Sequence, residues 1–181
     1  MKNSISKKKI FISGSTTGIG YAIAKLFSGK GCWVGINGRN IKNLKKAKKK
    51  IKNSEIFNYD LYDEKNIIKL KKDLIKKIKK IDFLVCNIGD SNFENNHLNI
   101  KKAFENNFFT SVNLIQNLFD IINKNGRIIC ISSVAGVEYM DGAPFGYSIA
   151  KSALHTYIKC FSKIFVRQKI MINAIAPGHI L

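Results

Sequence analysis

The feature that most constrains this chain is an alternation: short β-branched runs are separated by longer segments of helical period along almost its whole length. Strands linked through helices run parallel, and the crossovers between them are right-handed. The runs lie at residues 9–13, 32–36, 55–59, 83–86, 127–131 and 171–176, the last closed by Pro177 and Gly178. Between them, apolar residues recur every three or four positions: Ile19, Ala22, Ile23, Leu26 and Phe27; then Ile41, Leu44, Ala47 and Ile51; then Ile67, Leu70, Leu74, Ile78 and Ile81. Two longer helices are expected at about residues 100–122 and 147–165. The pattern predicts an α/β fold, a doubly wound parallel sheet of about six strands with helices on both faces. No repeat, low-complexity linker or composition break divides the chain, so residues 1–181 are expected to form a single domain.

Composition matters for what it excludes. The 31 Lys+Arg against 12 Asp+Glu give a formal charge of +19, which raises the question of an anionic polymer. Only Arg39, Arg127 and Arg167 are arginine, whereas readers of phosphate and bases favour the bidentate guanidinium. Residues 42–80 alone carry 15 Lys and five acids, interleaved with the apolar periods of two helices, so the charge reads as solvated outer faces. Neither nucleic acid nor membrane is expected as a partner. Cys32, Cys86, Cys130 and Cys160 form no C-x-x-C pair, lie in apolar stretches and read as buried, reduced thiols. With no leader-like segment and no apolar run of membrane-spanning length, the expected location is cytoplasmic; no metal site is expected.

Chemistry concentrates at two places. Ser13-Gly14-Ser15-Thr16-Thr17-Gly18-Ile19-Gly20 follows the first strand and opens the first helix, where glycines permit a tight turn and free helix N–H groups receive a pyrophosphate. Tyr147 and Lys151 stand four apart on one helix face, and a cation beside a phenol favours the phenolate, which suits acid/base work on a carbonyl. The spacing is uninformative alone: in a chain with 6 Tyr and so many Lys, chance supplies about one such pair, and Tyr21 with Lys25 is another. Position separates them. Tyr147 follows a strand ending in Ser132-Ser133, and ligands of parallel sheets bind at the carboxyl ends of strands.

Together these residues resemble the classical short-chain dehydrogenase/reductases, in order from Lys9 to Gly178. The glycine motif is matched by residues 13–20, and the family's N-N-A-G strand end by Cys86-Asn87-Ile88-Gly89. Its helix asparagine is matched by Asn107, its serine by Ser133, its Y-x-x-x-K by Tyr147 and Lys151, and its P-G turn by Pro177 and Gly178. The resemblance implies a Rossmann fold of strand order 3-2-1-4-5-6 and hydride transfer between a nicotinamide cofactor and a carbonyl or secondary alcohol. A ketoacyl carrier-protein reductase-like activity is one form of it. It further implies Tyr147 as general acid/base, Lys151 as the cation that tunes it and holds the nicotinamide ribose, Ser133 as hydrogen-bond donor to the substrate oxygen, and Asn107 as anchor of a relay water. Cofactor contacts would come from Gly14, Ser15, Thr17, Gly18, Ile19, Gly20, Asp60, Leu61, Asn87, Gly89, Tyr147, Lys151, Pro177 and Gly178. At the end of the second strand, Asn37-Gly38-Arg39-Asn40 offers no acid for a ribose 2′-hydroxyl and one guanidinium for a 2′-phosphate, so NADP is expected over NAD. The family commonly dimerises through the two long helices, which points to a homodimer or homotetramer.

The sequence departs from the family in three respects. Cys86 and Ile88 stand for the usual Asn and Ala, and the Ser133-to-Tyr147 interval of 14 is one residue longer than usual. Family members also continue past the P-G turn with a substrate-covering segment and a seventh strand, whereas this chain ends at His179-Ile180-Leu181, so about the last quarter of the fold is expected to be lacking. A non-catalytic dinucleotide-binding protein, or an inactive fragment, is therefore the alternative to an active reductase.

Overall fold

The computed structural model describes residues 5–92 and 94–179; Ile180 and Leu181 lie outside the described residues. Six strands, β1 (Lys9–Ile12), β2 (Trp33–Asn37), β3 (Ser54–Phe57), β4 (Ile81–Cys86), β5 (Ile122–Ile131) and β6 (Met171–Ile175), form one sheet in the order β3-β2-β1-β4-β5-β6. Every pairing is parallel. Helices α1 (Gly18–Gly29), α2 (Ile41–Lys50), α3 (Glu64–Ile78), α4 (His97–Phe104), α5 (Thr110–Leu118) and α6 (Phe145–Arg167) make the crossovers.

The period of two along each strand sorts the core into two layers. Ile10, Ile12, Val34, Ile36, Val85 and Ile131 face α1 and α2 through Ala24, Leu44, Ala47 and Ile51. Phe11, Phe57, Leu84, Cys86, Ile128 and Cys130 face α3, α5 and α6 through Leu70, Leu74, Leu114, Leu118, Leu154 and Ile158. β3 and β6 are the sheet's two edges, and Met171 and Ile175 are exposed on β6. α2 and α3 begin at Asn40 and Asp63, whose carboxyl or amide oxygens accept from Lys42 N and Lys65 N respectively, so their starts are encoded by local capping.

The structure corrects three expectations. The helix expected at 100–122 is not continuous: α4 runs through a π turn, Glu105–Phe109, into α5, which ends at Leu118, and β5 already begins at Ile122. Ile81, the last member of the third helical period, belongs instead to β4, because Lys79 at φ +64° ends α3. Cys160 is exposed, unlike Cys32, Cys86 and Cys130, because it lies on the solvent side of α6. Among the described residues, no helix is long and apolar enough to cross a membrane.

Candidate active site

The carboxyl ends of β1, β2, β3 and β4 open into a cleft of about 390 Å³ lined by Gly14, Thr16, Thr17, Gly18, Ile19, Asn37, Gly38, Arg39, Asp60, Leu61, Tyr62, Asn87 and Gly89, among others. Its floor is a hydrogen-bonded frame. Asn37, which is buried, accepts from Gly14 N through Oδ1 (3.2 Å) and donates through Nδ2 to the carbonyls of Phe57 and Tyr59 (3.0 Å each). Its backbone N–H donates to Ser15 Oγ (2.9 Å), so one asparagine ties the glycine loop to two strand ends. Ser13 Oγ accepts from Asn87 N (2.9 Å) and Asn87 Nδ2 donates to Gly14 O (2.9 Å), which joins the loop to the exit of β4. Gly20 must lack a side chain, because a Cβ there would stand 2.5 Å from both Asn87 Nδ2 and Gly14 O.

This frame fits a dinucleotide. Thr17, at the start of α1, caps no backbone N–H with its side chain, and the first turn carries no acid, so the helix's positive end stays open toward an anion. The residues of the expected cofactor set from Gly14 to Gly89 surround the cleft, apart from Ser15 and Gly20, which are buried behind its wall. Thr16, Asn37, Tyr59 and Tyr62 belong to it as well and were not expected as contacts. Asn37 and Thr16 stood inside quoted motifs, but only the fold shows which of their neighbours face inward.

The cleft continues past Ile19, Asn87 and Gly89 into a second recess of about 210 Å³, lined by Asp90, Ser91, Ile131, Ser132, Ser133, Tyr147, Lys151, Pro177 and Gly178. Three elements supply most of it. β5 delivers Ser133; α6 delivers Tyr147 and Lys151 on one face; backbone bonds from Ser132 N to Ile175 O (2.7 Å) and from Val134 N to Pro177 O (3.0 Å) bring the Pro177-Gly178 turn alongside. Lys151 is buried, with Nζ donating to Ile131 O (3.1 Å) and lying 5.6 Å from the centre of the Tyr147 ring. Burial pulls its ammonium down to about 8, with the Cys130 thiol opposing that shift. The Ser133 hydroxyl accepts from Ala135 N (3.2 Å). A wider mouth of about 400 Å³ beyond Tyr147 and Ser133 is lined by Ser91, Met140, Asp141, Gly142, Ala143, Pro144, Gly178 and His179.

Asn107 sits at the middle of the π turn, fully buried. Its Oδ1 accepts from Asp90 N (3.0 Å), and its Nδ2 donates to Asp90 O (2.8 Å) and Ala103 O (3.1 Å), so the side chain is fully engaged in clamping the loop after β4. Gly89 is what lets Asn107 and Lys151 approach that loop: a Cβ there would lie 2.7 Å from Asn107 Oδ1 and 3.0 Å from Lys151 Nζ. Asp90, a carboxylate in the recess, carried no signal beyond its place after a strand-end glycine.

Comparison with known proteins agrees with this geometry. A family model described as short chain dehydrogenase matches residues 8–181. A fatty acyl-CoA reductase of Acinetobacter baylyi is 30% identical over 187 residues, covering 96% of this chain and 63% of its own length. A 3-oxoacyl-(acyl-carrier-protein) reductase of Rickettsia conorii is 32% identical, covering 97% of this chain and 74% of its own. Among solved structures, the Pseudomonas aeruginosa RhlG/NADP active-site complex superposes with a TM-score of 0.91 at 25% identity, over 98% of this chain and 75% of that one. The chain thus spans between about three fifths and three quarters of the length of these relatives.

Proposed function

We infer function from membership: the chain belongs to the short-chain dehydrogenase family. On that premise we propose that it is an NADP(H)-dependent reductase that transfers hydride to a carbonyl, small or thioester-bound as in an acyl carrier or coenzyme A substrate. The observation that carries the reading is the convergence of Ser133, Tyr147 and Lys151 in a recess continuous with the glycine-loop cleft.

A bound nicotinamide supplies the hydride, and the protein supplies position and electrostatics. The cleft from Gly14 to Gly89, with the open start of α1, holds the adenosine and pyrophosphate portions, with Asp60 and Leu61 at the adenine side. Pro177 and Gly178 border the recess. Arg39 is the cation at the end of β2, where a 2′-phosphate distinguishes NADP from NAD. In the recess Tyr147 donates the proton to the carbonyl oxygen while Ser133 hydrogen-bonds the same oxygen as charge develops on it. The Lys151 ammonium favours the phenolate left behind. Since the Asn107 side chain is engaged with Asp90, a relay water falls to its backbone carbonyl, in a turn where the extra π residue alters the helical hydrogen-bond ladder. Exposed Phe109, Phe145 and Ile149 on the π turn and α6 favour a homodimer or homotetramer through these helices, in a cytoplasmic protein.

The test is NADPH consumption with a panel of ketones and 3-oxoacyl thioesters, alongside NADPH binding by fluorescence. Wild type turns over, and Tyr147→Phe loses about 10²–10⁴-fold in kcat while still binding NADPH. Binding without turnover on any carbonyl removes the enzyme and leaves a dinucleotide-binding protein.

A further inference from the structure

Arg39 lies on the exposed β2–α2 loop, where an arginine side chain would ordinarily sample many rotamers and lose about 2 kcal/mol of entropy when fixed. Two contacts limit that freedom. Asn58 Nδ2, at the exit of β3, donates to the carbonyls of Gly38 (2.9 Å) and Arg39 (3.0 Å) and pins the loop backbone. The guanidinium carbon of Arg39 lies 5.2 Å from the centre of the Tyr62 ring, within cation–π range. Tyr62 is itself oriented: its N–H donates to Asp60 Oδ1 (3.2 Å), and Asn66 Nδ2 donates to Asp60 O (3.1 Å), which closes the turn into α3. Among the described residues no carboxylate lies within ion-pair distance of Arg39, so its N–H fork is not spent on an acid.

Resting on the NADP reading above, we propose that Tyr62 is a positioning residue for cofactor discrimination: its ring holds the Arg39 guanidinium at the adenosine cleft, poised for a 2′-phosphate. A ring face engages a guanidinium without consuming its in-plane N–H donors, so the fork stays free for a phosphate, which a carboxylate partner would prevent. Burial raises the Tyr62 phenol and the nearby Arg39 charge opposes the shift, so the ring stays neutral at physiological pH.

The experiment measures dissociation constants for NADPH and NADH in wild type, Arg39→Ala, Tyr62→Leu, Tyr62→Phe and the Arg39→Ala/Tyr62→Leu double variant. Tyr62→Leu is expected to weaken NADPH about two- to fivefold more than NADH, the size of an exposed cation–π contact. Tyr62→Phe keeps the wild-type preference, and Tyr62→Leu adds nothing once Arg39 is alanine. If Tyr62→Leu weakens both cofactors equally, or leaves the preference intact while Arg39→Ala abolishes it, Tyr62 does not position Arg39 and the NADP reading stands. If Arg39→Ala itself leaves the preference unchanged, the NADP reading through Arg39 fails and the proposal fails with it.

Discussion

The two halves of the cleft are built on different principles. The half proposed to hold the adenosine is made by four consecutive β–α junctions between residues 14 and 89, and it is shaped mainly by backbone: glycines, an open helix start and asparagine side chains that bind carbonyls and amides. The half proposed for catalysis is lined by residues 87 to 178 together with Ile19, and its functional groups are a phenol, a hydroxyl and one buried ammonium. A backbone-made site fails when shape changes; a side-chain-made site fails when one functional group goes.

The sharpest break in that contrast is Lys151→Met. Turnover should fall at least about 10²-fold with NADPH binding weakened far less, read by single-turnover kinetics beside fluorescence titration. The same residue sets a pH signature. Its ammonium is held down to about 8, so it is charged below that pH and loses its proton above it; activity should persist on the acid side and fall as pH rises through about 8. Lys151→Arg, which keeps its charge, should move the alkaline limb upward; an unmoved limb assigns the titration to another group.

Glycine variants test the two halves by shape. Gly89→Ala places a methyl 2.7 Å from Asn107 Oδ1 and 3.0 Å from Lys151 Nζ, and a displacement of that size at the reacting groups should cost about 10²-fold in turnover. Gly20→Ala crowds Asn87 and the Gly14 carbonyl, so it should lower cofactor affinity and cost about 1–3 kcal/mol in denaturant unfolding. Equal effects of the two variants on binding and turnover would erase the distinction between the halves. The smallest effect is expected from replacing exposed Lys45, Lys49, Lys72 and Lys76 with Gln: stability within about 0.5 kcal/mol per site and NADPH affinity within about twofold. A larger loss of affinity would give the lysine helices a part in cofactor binding.

The alternation of periods was sufficient for a parallel, doubly wound sheet of six strands, because parallel strands with right-handed crossovers leave few topologies, whereas the strand order came with the family resemblance. The same local signals misplaced the region around Asn107. Apolar residues continue at helical spacing from 100 to 122, and nothing in that spacing distinguishes an α turn from the π turn at Glu105–Phe109 or shows that β5 begins at Ile122. Ile81 fits the third helical period equally well, and the parallel partner waiting in β5 claims it for the sheet.

What the sequence by itself determined is what short-range pattern can encode: two faces for each strand, capped helix starts, the glycine loop, and a serine, tyrosine and lysine placed at strand ends and on one helix face. The tertiary structure alone decided which side chains meet. Asn37 as the brace of the glycine loop, Asn107 clamped to Asp90, Lys151 buried against Ile131 and Arg39 lying over Tyr62 are contacts between residues 17 to 23 positions apart. The physical reason is that periodicity reports the direction a side chain leaves its own element, whereas a hydrogen bond or a stacked cation depends on where a second element has been packed.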